Sequence, residues 1–252
     1  MRYRAVIQYD GTAYFGFQRQ AEPWPTVQSA IEEALTTLAG LPIRIVGAGR
    51  TDTGVHAAGQ VIAFDMAWRH GKEVLLRALN ATLPPDISVS SLQRTTVTFH
   101  PRFDVQRRRY RYTIWNAPTR DALKRLTSWH VAKPLDIGRM NIAAAHLVGV
   151  HDFATFGQPP QGSNTVRELF VANWQRDGAV VTFEVEATAF LQRMVRSLVG
   201  SLKWVGQGRW SPETFAEALA ACDRSCSGPT APPQGLSLIA VTYAEGDSAQ
   251  EE

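Results

Sequence analysis

The chain has 252 residues, 44% of them hydrophobic and 19% charged, which is enough apolar material for one large or two modest cores. No run of about 18 apolar residues and no charged-then-apolar leader occurs, so we expect a cytoplasmic protein that is neither exported nor membrane-spanning. Cys222 and Cys226 lie four residues apart with no further Cys or His beside them. We therefore expect two reduced thiols there, and not a disulfide or a metal pair.

Positive charge is unevenly distributed along the chain. The net charge is only +3, yet the segment from Arg102 to Arg125 holds eight arginines and lysines against Asp104 and Asp121. Arginine suits phosphates because its planar guanidinium group matches their geometry, and it also stacks on bases. Only four of the 26 basic residues are lysines, but such a bias can also reflect genome composition. Charge alone therefore points only mildly to a nucleic-acid partner.

The first half of the sequence predicts the element order β-α-β-β-α-β. Between residues 2 and 9 apolar and more polar residues alternate, which is typical of a half-buried strand. Thr26 can cap a helix whose apolar residues share one face. The full set is a strand over residues 2–9, a helix from 27 to about 39, strands over 43–46 and 61–64, a helix over 72–81 and a strand over 87–92.

The second half repeats this order loosely. It predicts a strand over residues 107–115, a helix capped by Asp136 and running to about 148, a loop over 151–165, a hairpin of strands 166–174 and 180–187, helices from 190 to about 205 and from 212, and a strand over 236–243. Two such halves indicate an α+β protein of two ferredoxin-like subdomains, with joined sheets and a central basic cleft. We expect the subdomains over 1–104 and 105–244, and an acidic disordered tail over 245–252. Identity between the halves is negligible, so this duplication is inferred from architecture alone.

One glycine-rich loop, from Gly47 to His56, joins two of the predicted strands. Its three glycines let the backbone adopt positive φ and let another molecule approach closely. Asp52 is the single carboxylate at its centre, with Arg50 shortly before it. An aspartate in such a turn often only accepts hydrogen bonds from its own backbone, and that interpretation stays open. A metal site with Asp52 and His56 as ligands is a weaker hypothesis, because nothing nearby supplies the remaining ligands.

Two tyrosines share one face of the strand predicted over residues 107–115. A period of two places Tyr110 and Tyr112 on that face. The opposite face carries three arginines, Arg107, Arg109 and Arg111. Both tyrosines can be core residues beneath solvated arginines. Alternatively, a tyrosine ring is a stacking platform for a base, beside guanidinium groups that bind phosphates.

The helix predicted over residues 190–205 has an apolar stripe that includes Leu191, Met194 and Leu198. Arg193 and Arg196 fall on the opposite side. A charged side of a helix is usually solvated. If it lines a cleft instead, a guanidinium group there can pair with a carboxylate and with phosphates. Helical periodicity does not distinguish these two interpretations.

Taken together, the motifs resemble one family. Residues 49–57, GRTDTGVHA, are similar to the GRTDAGVHA signature of the TruA-type tRNA pseudouridine synthases. Four further blocks match that family in the same order: YDGT at 9–12 with GFQ at 16–18, RRYRY at 108–112, FL to VG over 190–200, and AP at 231–232 with GL at 235–236. The resemblance spans residues 2 to about 244. Its departures are Thr53 for the signature alanine, Phe17 for a common tryptophan, and Thr188 where a Gly or Asn pair often stands.

The resemblance implies roles for individual residues. Asp52 corresponds to the family's essential aspartate, and Arg196 to the arginine that pairs with it. Tyr110 corresponds to the tyrosine that stacks on the target uracil, Leu236 to the apolar residue that packs against the ring, and Arg50 to the arginine that assists flipping of the nucleotide. Further RNA contacts are expected from Phe15, Gln18, Arg19, His100, Arg102, Arg107, Arg109 and Arg111. The resemblance implies no metal and no cofactor.

The implied activity is the isomerisation of uridine to pseudouridine at positions 38, 39 and 40, in the anticodon stem-loop of tRNA, by a homodimer. The carboxylate of Asp52 can attack C1′ covalently or remove the C2′ proton to give a glycal, and the sequence does not separate these routes. A non-catalytic RNA-binding module with the same basic cleft is the main alternative. A metal-dependent hydrolase, which would need an added divalent metal, is a third hypothesis.

Overall fold

The computed structural model describes residues 1–159 and 161–244, and the acidic tail expected over 245–252 lies outside them. The described residues contain five α-helices and ten β-strands, so the protein is of the predicted α+β class. In chain order these are β1 (Arg2–Tyr9), α1 (Val27–Ala39), β2 (Ile45–Gly47), β3 (His56–Asp65), α2 (Lys72–Thr82), β4 (Ile87–Arg94), β5 (Val105–Trp115), β6 (Trp129–His130), α3 (Ile137–Ala145), β7 (Gly149–Asp152), β8 (Val166–Asp177), β9 (Val180–Ala187), α4 (Met194–Gly206), α5 (Pro212–Ala220) and β10 (Leu236–Tyr243).

The chain forms two compact units. Unit 1 comprises Met1–Gln106 and the described residues from Leu238 onward, and unit 2 comprises Arg107–Ser237. The start of unit 2 falls close to the boundary expected after residue 104. Most of β10 groups with unit 1 by its contacts, whereas the sequence analysis counted that strand with the second subdomain.

In unit 1 the strands are ordered β4-β1-β3-β10, and β2 also pairs with β3. The β1–β3, β1–β4 and β2–β3 pairs are antiparallel. Along β1 the side chains of Tyr3, Ala5 and Ile7 are buried, in agreement with the predicted alternation. Helix α1 begins at a capping box, in which the Thr26 side chain accepts a hydrogen bond from the Ser29 N–H, and it buries its apolar face.

In unit 2 the strands are ordered β5-β9-β8-β7, and β6 pairs in parallel with β5. The predicted hairpin is formed by β8 and β9, which turn at Gly178 with φ +56°. Trp174 and Phe183 of this hairpin stack in the core, with ring centroids 4.8 Å apart. Tyr112 and Ile114 of β5 are fully buried. The alternation predicted for β5 is therefore confirmed.

Several element bounds differ from the prediction for local reasons. Helix α4 begins at Met194 and not near residue 190, because Arg193 has φ +62°, a left-handed conformation that a right-handed helix does not contain. Helix α3 ends at Ala145, shortly before Gly149 with φ +107°. Strand β7 replaces part of a predicted loop, since four residues are too few to show an alternating pattern. Strand β3 begins at His56 itself, so the glycine-rich loop is shorter than expected.

Candidate active site

The loop between β2 and β3 carries Asp52 near its tip. Hydrogen bonds to β3 hold the first part of this loop. The Ala48 N–H donates to the Val61 carbonyl oxygen over 2.8 Å, and the Gln60 side-chain amide donates to the Gly49 carbonyl oxygen over 2.9 Å. These bonds satisfy backbone groups that an open loop would leave to water.

The segment 9–18, which contains the YDGT and GFQ blocks, holds the loop from another side. The Phe17 N–H donates to the Thr51 carbonyl oxygen over 3.1 Å. The hydroxyl groups of Tyr9 and Thr51 lie 2.8 Å apart and are buried. These contacts fix the backbone directly before Asp52.

Two glycines let that segment approach the loop closely. A Cβ added to Gly11 would lie 2.1 Å from the Val55 carbonyl oxygen, and one added to Gly16 would lie 2.8 Å from the Thr51 carbonyl oxygen. Gly16 also has φ +91°, which other residues rarely adopt. Both sequence blocks are therefore explained by their packing against the loop of Asp52.

His56, the first residue of β3, is buried and supports the loop. Its Nδ1 lies 3.1 Å from the Gly11 nitrogen and 3.1 Å from Asp10 Oδ1, and one nitrogen cannot both accept from Gly11 and donate to Asp10. Asp10 Oδ1 already accepts from the Thr12 N–H over 2.9 Å and from the Thr12 hydroxyl. We therefore assign the bond to the Gly11 N–H and the ring proton to Nε2. Because Nδ1 is used in this way, the hypothesis of a metal held by Asp52 and His56 gains no support.

The three residues at the centre of the motif lie at or near the surface of unit 1. Asp52 is half-buried, and its main-chain carbonyl oxygen accepts from the Val55 N–H over 3.1 Å. Arg50 and Thr53 are exposed. The loop therefore combines a fixed backbone with polar side chains that a ligand can reach.

In unit 2, Tyr110 of β5 lies beside the segment that precedes α4. Its ring meets that of Phe190 edge to face, with centroids 5.1 Å apart, and 7% of Tyr110 is exposed. Tyr112 has no exposed surface, and its hydroxyl donates to the Pro232 carbonyl oxygen over 2.8 Å. Both tyrosines are therefore buried, as the core interpretation expects, and Tyr110 is the one that retains a small exposed fraction.

Arg196 is half-buried in the first turn of α4. Its Nε donates to the Ala231 carbonyl oxygen over 2.8 Å, and the Ala231 N–H donates to the Arg196 carbonyl oxygen over 3.0 Å. One turn further, a Cβ added to Gly200 would lie 1.6 Å from the Pro229 carbonyl oxygen, so α4 packs directly on that segment. The Arg196 side chain is thus fixed in direction and is not a freely solvated charge. Arg193, by contrast, is exposed and precedes the helix.

The residues to which the resemblance gives a role fall into two groups. Asp52 and Arg50 share the loop of unit 1, whereas Tyr110, Arg196 and Leu236 belong to unit 2. Leu236 begins β10 and is 6% exposed. Burial raises the pKa of the Tyr112 phenol, and the charge of Arg196 opposes that rise, which places this guanidinium near the middle of β5.

Three arginines lie on the other face of β5 and are paired with carboxylates. Arg107 and Arg109 both pair with Glu186, at 3.2 Å and 2.7 Å. Arg111 donates from Nε to Glu184 over 2.9 Å. Burial acts to raise the pKa of Glu186, but the hydrogen bonds from Arg109 and Arg107 hold it below its ordinary value. Two carboxylates thus partly neutralise the surface that sequence reasoning assigned to phosphates.

The aromatic segment before α1 contains three of the expected RNA contacts. Phe15 is exposed and packs against Trp24, with ring centroids 4.3 Å apart. Gln18 is also exposed. Arg19 instead forms an ion pair with Glu32 at 2.9 Å, so only part of its side chain is available to RNA.

Glu32, which the sequence analysis missed, is 2% exposed on α1. Besides Arg19 it accepts from Arg44 over 2.8 Å, from the main-chain N–H of Ile45 over 3.2 Å and from the Gln28 amide over 2.9 Å. Burial acts to raise the pKa of Glu32, but these hydrogen bonds lower it overall. Since Ile45 begins β2, one carboxylate ties both the aromatic segment and the strand before the glycine-rich loop to α1. The available signal was an acidic residue within the apolar face of a predicted helix.

His100 and Arg102, the remaining expected RNA contacts, lie in the turn before β5. The ring of His100 stacks on Phe103 with centroids 4.2 Å apart, and its Nδ1 accepts from the N–H groups of Arg102 and Phe103, each over 3.3 Å. Arg102 and Phe103 are exposed. The turn therefore offers a guanidinium group and a ring to a ligand, while His100 holds the turn together.

Both cysteines are free, as expected. Within residues 1–159 and 161–244, no group of three or more His, Cys, Asp or Glu side chains is arranged to hold a metal ion. No helix in this described part of the chain is long and apolar enough to cross a membrane.

Comparisons with known proteins point in one direction. The profile of a family described as tRNA pseudouridine synthase matches residues 5–104 and 143–244. The tRNA pseudouridine synthase A of Geotalea uraniireducens is 45% identical over 245 residues, which cover 95% of this chain and 98% of that protein. Proteins of the same name from Myxococcus xanthus and Bradyrhizobium sp. are 43% and 44% identical, covering 99% and 96% of this chain and 94% and 99% of their own lengths. A solved structure described as a dye-decolorizing protein from V. cholerae covers 96% of this chain and 91% of its own at 13% identity, but its TM-score of 0.21 is too low to carry any argument.

Proposed function

Because this chain belongs to the tRNA pseudouridine synthase family, it is an isomerase that acts on tRNA, and we propose that Asp52 performs the first chemical step at uridines 38, 39 and 40 of the anticodon stem-loop. The observation that carries this assignment is the GRTDTGVHA loop, in which a single carboxylate follows Thr51, a residue held by hydrogen bonds with Tyr9 and Phe17. An RNA-binding module without catalysis has no use for a carboxylate in a loop that is expected to face phosphates.

Pseudouridine formation rearranges bonds within one nucleotide and needs no second substrate. The N1–C1′ bond breaks, the uracil turns, and C5 forms the new bond to C1′. The proton that C5 loses is balanced by the proton that N1 carries in the product. Asp52 can begin this by attacking C1′, which gives a covalent intermediate, or by removing the C2′ proton, which gives a glycal. Both routes require the carboxylate to be within about 3–3.5 Å of its target atom, which favours a rigid loop.

Arg196 is proposed as the partner that orients the Asp52 carboxylate. In support, its Nε is bonded to the Ala231 carbonyl oxygen, so the plane of the guanidinium group has a fixed direction. A guanidinium group can bind a carboxylate with two parallel hydrogen bonds, which sets orientation as well as charge. The same group can also bind a phosphate of the flipped nucleotide.

Tyr110, Leu236 and Arg50 are proposed to hold the target nucleotide. A uracil taken out of its stack needs an aromatic or apolar partner on each face. In support of the stacking role, Tyr110 retains a small exposed fraction, whereas Tyr112 has none. Leu236 would supply the apolar contact with the uracil. The exposed Arg50 would fill the gap that the flipped base leaves in the stack, or bind the neighbouring phosphates.

The larger arrangement is also a proposal. We propose two ferredoxin-like subdomains over residues 1–104 and 105–244, joined sheets, a central basic cleft for tRNA, and a cytoplasmic homodimer. In support, unit 1 has the antiparallel order β4-β1-β3 with β2 on β3, and its two helices lie in the two β-α-β connections. Light scattering of the purified protein tests the dimer, since a monomeric mass would exclude it.

The function is tested by incubating purified protein with tRNA transcripts and mapping pseudouridine at single-nucleotide resolution. We expect product at positions 38, 39 and 40 where these are uridines, with and without EDTA, because the proposed chemistry uses no metal. The binding-module alternative predicts tight tRNA binding without product. The hydrolase alternative predicts cleaved RNA that disappears when EDTA is added.

A further inference from the structure

A groove in unit 2 includes Pro232 but none of the residues proposed above to act on the target nucleotide. Its main cavity has a volume of about 540 Å³ and is lined by the end of β5, the connection that follows it, and the segment before β10. A second hollow of about 270 Å³ shares Trp129 and His130 with it and extends toward the end of α4. We call the two together the tryptophan groove, after Trp115 and Trp129 in its walls.

The tryptophan groove is strongly basic. Arg120 and Arg125 line the main cavity, and Lys133, Lys203 and Arg209 line the second hollow. Among the described lining residues the single carboxylate is that of Asp121, and it is paired with Lys124 at 3.4 Å. Burial and the neighbouring charges of Arg209 and Lys133 lower the pKa of Lys203. The positive charges thus crowd one another, and a bound anion would relieve their repulsion.

The orientation of both indole rings is fixed by contacts with neighbouring residues. The indole N–H of Trp115 donates to the Thr119 carbonyl oxygen over 2.9 Å, and the edge-to-face contact of Trp129 with Tyr112 has centroids 6.4 Å apart. An ammonium group lies over each ring, from Lys124 on Trp115 and from Lys203 on Trp129, both at 5.2 Å. A base that stacks on either indole would take the place of this ammonium group. Lys203, once displaced from Trp129, could bind the adjacent phosphate, whereas Lys124 remains paired with Asp121.

The second hollow also contains an unused hydrogen-bond acceptor. Gln207 lines it, and its Oε1 is buried without a hydrogen-bond partner among the described residues. A buried acceptor without a donor is costly, so such atoms are usually satisfied by a protein group, an ordered water or a ligand. A ribose 2′-hydroxyl or a base N–H would satisfy it, and the 2′-hydroxyl is the group that distinguishes RNA from DNA.

From this combination we infer that the tryptophan groove binds an unpaired nucleotide of the tRNA, at a place separate from the nucleotide that is isomerised. The inference rests on the proposed function in one respect, namely that the bound RNA is tRNA. Trp115 follows Tyr110 by five residues on β5, a distance of about 16 Å along an extended strand. This odd separation places the two side chains on opposite faces of the strand, and on the face of Tyr110 the ring of the buried Tyr112 lies against Trp129. A contact at this distance would contribute to the selection of the tRNA and to its position on the protein, without taking part in the chemistry.

The test measures tRNA affinity and chemistry separately. In an Asp52→Ala background, the double change Arg125→Ala/Arg209→Ala should weaken binding of a tRNA transcript at least tenfold and reduce the slope of log affinity against log salt by about 1.4–1.8, for two lost phosphate contacts. The control is Arg69→Ala/Arg77→Ala, which removes two exposed arginines from unit 1. In the otherwise native protein, the single-turnover rate at saturating tRNA should be unchanged by the groove double change.

A second pair of variants tests stacking. Trp115→Leu should weaken tRNA binding by about 5- to 150-fold, the range expected for one lost stacked base, and Trp115→Phe should retain most of the affinity. Equal losses for the groove pair and the control pair, or full affinity in Trp115→Leu, would overturn the inference. Failure of the parent protein to form pseudouridine would instead contradict the proposed function, since binding is measured without turnover.

Discussion

The phenolic oxygen of Tyr9 lies 2.8 Å from Thr51 Oγ1, and both residues are buried. Tyr9 is the last residue of β1, and Thr51 immediately precedes Asp52. A core strand is therefore bonded directly to the residue beside the proposed catalytic carboxylate. The precision of the site thus depends on a hydrogen bond that no substrate touches.

Tyr9→Phe should lower the rate of pseudouridine formation more than it lowers the affinity for tRNA. The change leaves the Thr51 hydroxyl without this partner, which should reduce the free energy of unfolding by about 1–3 kcal/mol. We expect the single-turnover rate to fall more than the affinity for tRNA, because the change displaces Asp52 while most of the proposed RNA contacts lie outside this loop. Thr51→Val should give a similar result, and the double variant should be little worse than either single one. Additive losses in the double variant would show that the two hydroxyls act independently.

Asp52→Ala and Asp52→Asn should abolish pseudouridine formation while tRNA binding persists. Asparagine keeps the shape of the side chain but can neither attack C1′ nor accept the C2′ proton. The measurement is a single-turnover assay at saturating tRNA, with binding measured in parallel. Substantial residual turnover in Asp52→Ala would remove Asp52 from the chemistry.

Tyr110→Phe should keep tRNA binding but slow turnover, and Tyr110→Leu should lose about 1–3 kcal/mol of base stacking. The ring of Tyr110 also packs edge-to-face on Phe190, so thermal unfolding of both variants is needed as a control. Equal destabilisation of the two proteins, with no specific loss in the leucine variant, would make Tyr110 a core residue only.

Arg196→Lys should be almost as inactive as Arg196→Ala. Lysine keeps the charge but loses the planar fork, and it cannot reproduce the Nε bond to the Ala231 carbonyl oxygen. Arg193→Ala is the control, because Arg193 is exposed and outside the helix. The comparison is of single-turnover rates at saturating tRNA. If Arg196→Ala reacts as fast as Arg193→Ala, Asp52 must have another partner.

Glu186→Gln should tighten tRNA binding. The glutamate neutralises Arg107 and Arg109, so its removal should make their charge available and steepen the salt dependence by about 0.7–0.9 for each added phosphate contact. Glu168→Gln, an equal change of charge at an exposed position of β8, is the control. Weaker binding in Glu186→Gln would mean that the ion pairs hold the arginines in the geometry that RNA needs.

The same carboxylate predicts a pH dependence of stability. Its pKa is lowered in the folded state, so its contribution is fully present above the ordinary value of 4.5 and is lost as the pH falls through the lowered value. The difference in unfolding free energy between parent and Glu186→Gln should therefore shrink as the pH is lowered below about 4.5. A difference that stays constant down to pH 2 would contradict the ion pairing.

Local patterns in the sequence were sufficient for most of the fold. Alternation identified β1 and β5, and caps at Thr26, Asp136 and Ser211 marked three helix starts. The start of α4 was wrong because Phe190 and Leu191 fit a helical period, while the left-handed conformation of Arg193 leaves no such trace. The preceding residue is held by a hydrogen bond from the Gln192 N–H to the Gln158 carbonyl oxygen, a contact between distant segments that no local pattern contains.

The candidate site was predictable in its residue types but not in its electrostatics. The glycine-rich loop and Asp52 were recognisable from sequence alone. The pairing of Arg109 with Glu186 and of Arg111 with Glu184 follows from the register of β5 against β9, which no local pattern contains. For the same reason the role of Gly11, far from the loop in sequence, appeared only when its contact with Val55 was known.

Because Glu32 is buried and has several partners, its substitution should be tolerated less well than that of the arginines paired with it. Arg19 and Arg44 come from different segments and share one carboxylate. Either arginine can therefore be substituted while the other still neutralises the charge of Glu32. Loss of the acid itself would leave the Ile45 N–H without its acceptor and would remove the shared partner of both arginines. Among homologous sequences we therefore expect Arg19 or Arg44 to be replaced singly, and Glu32 to be retained.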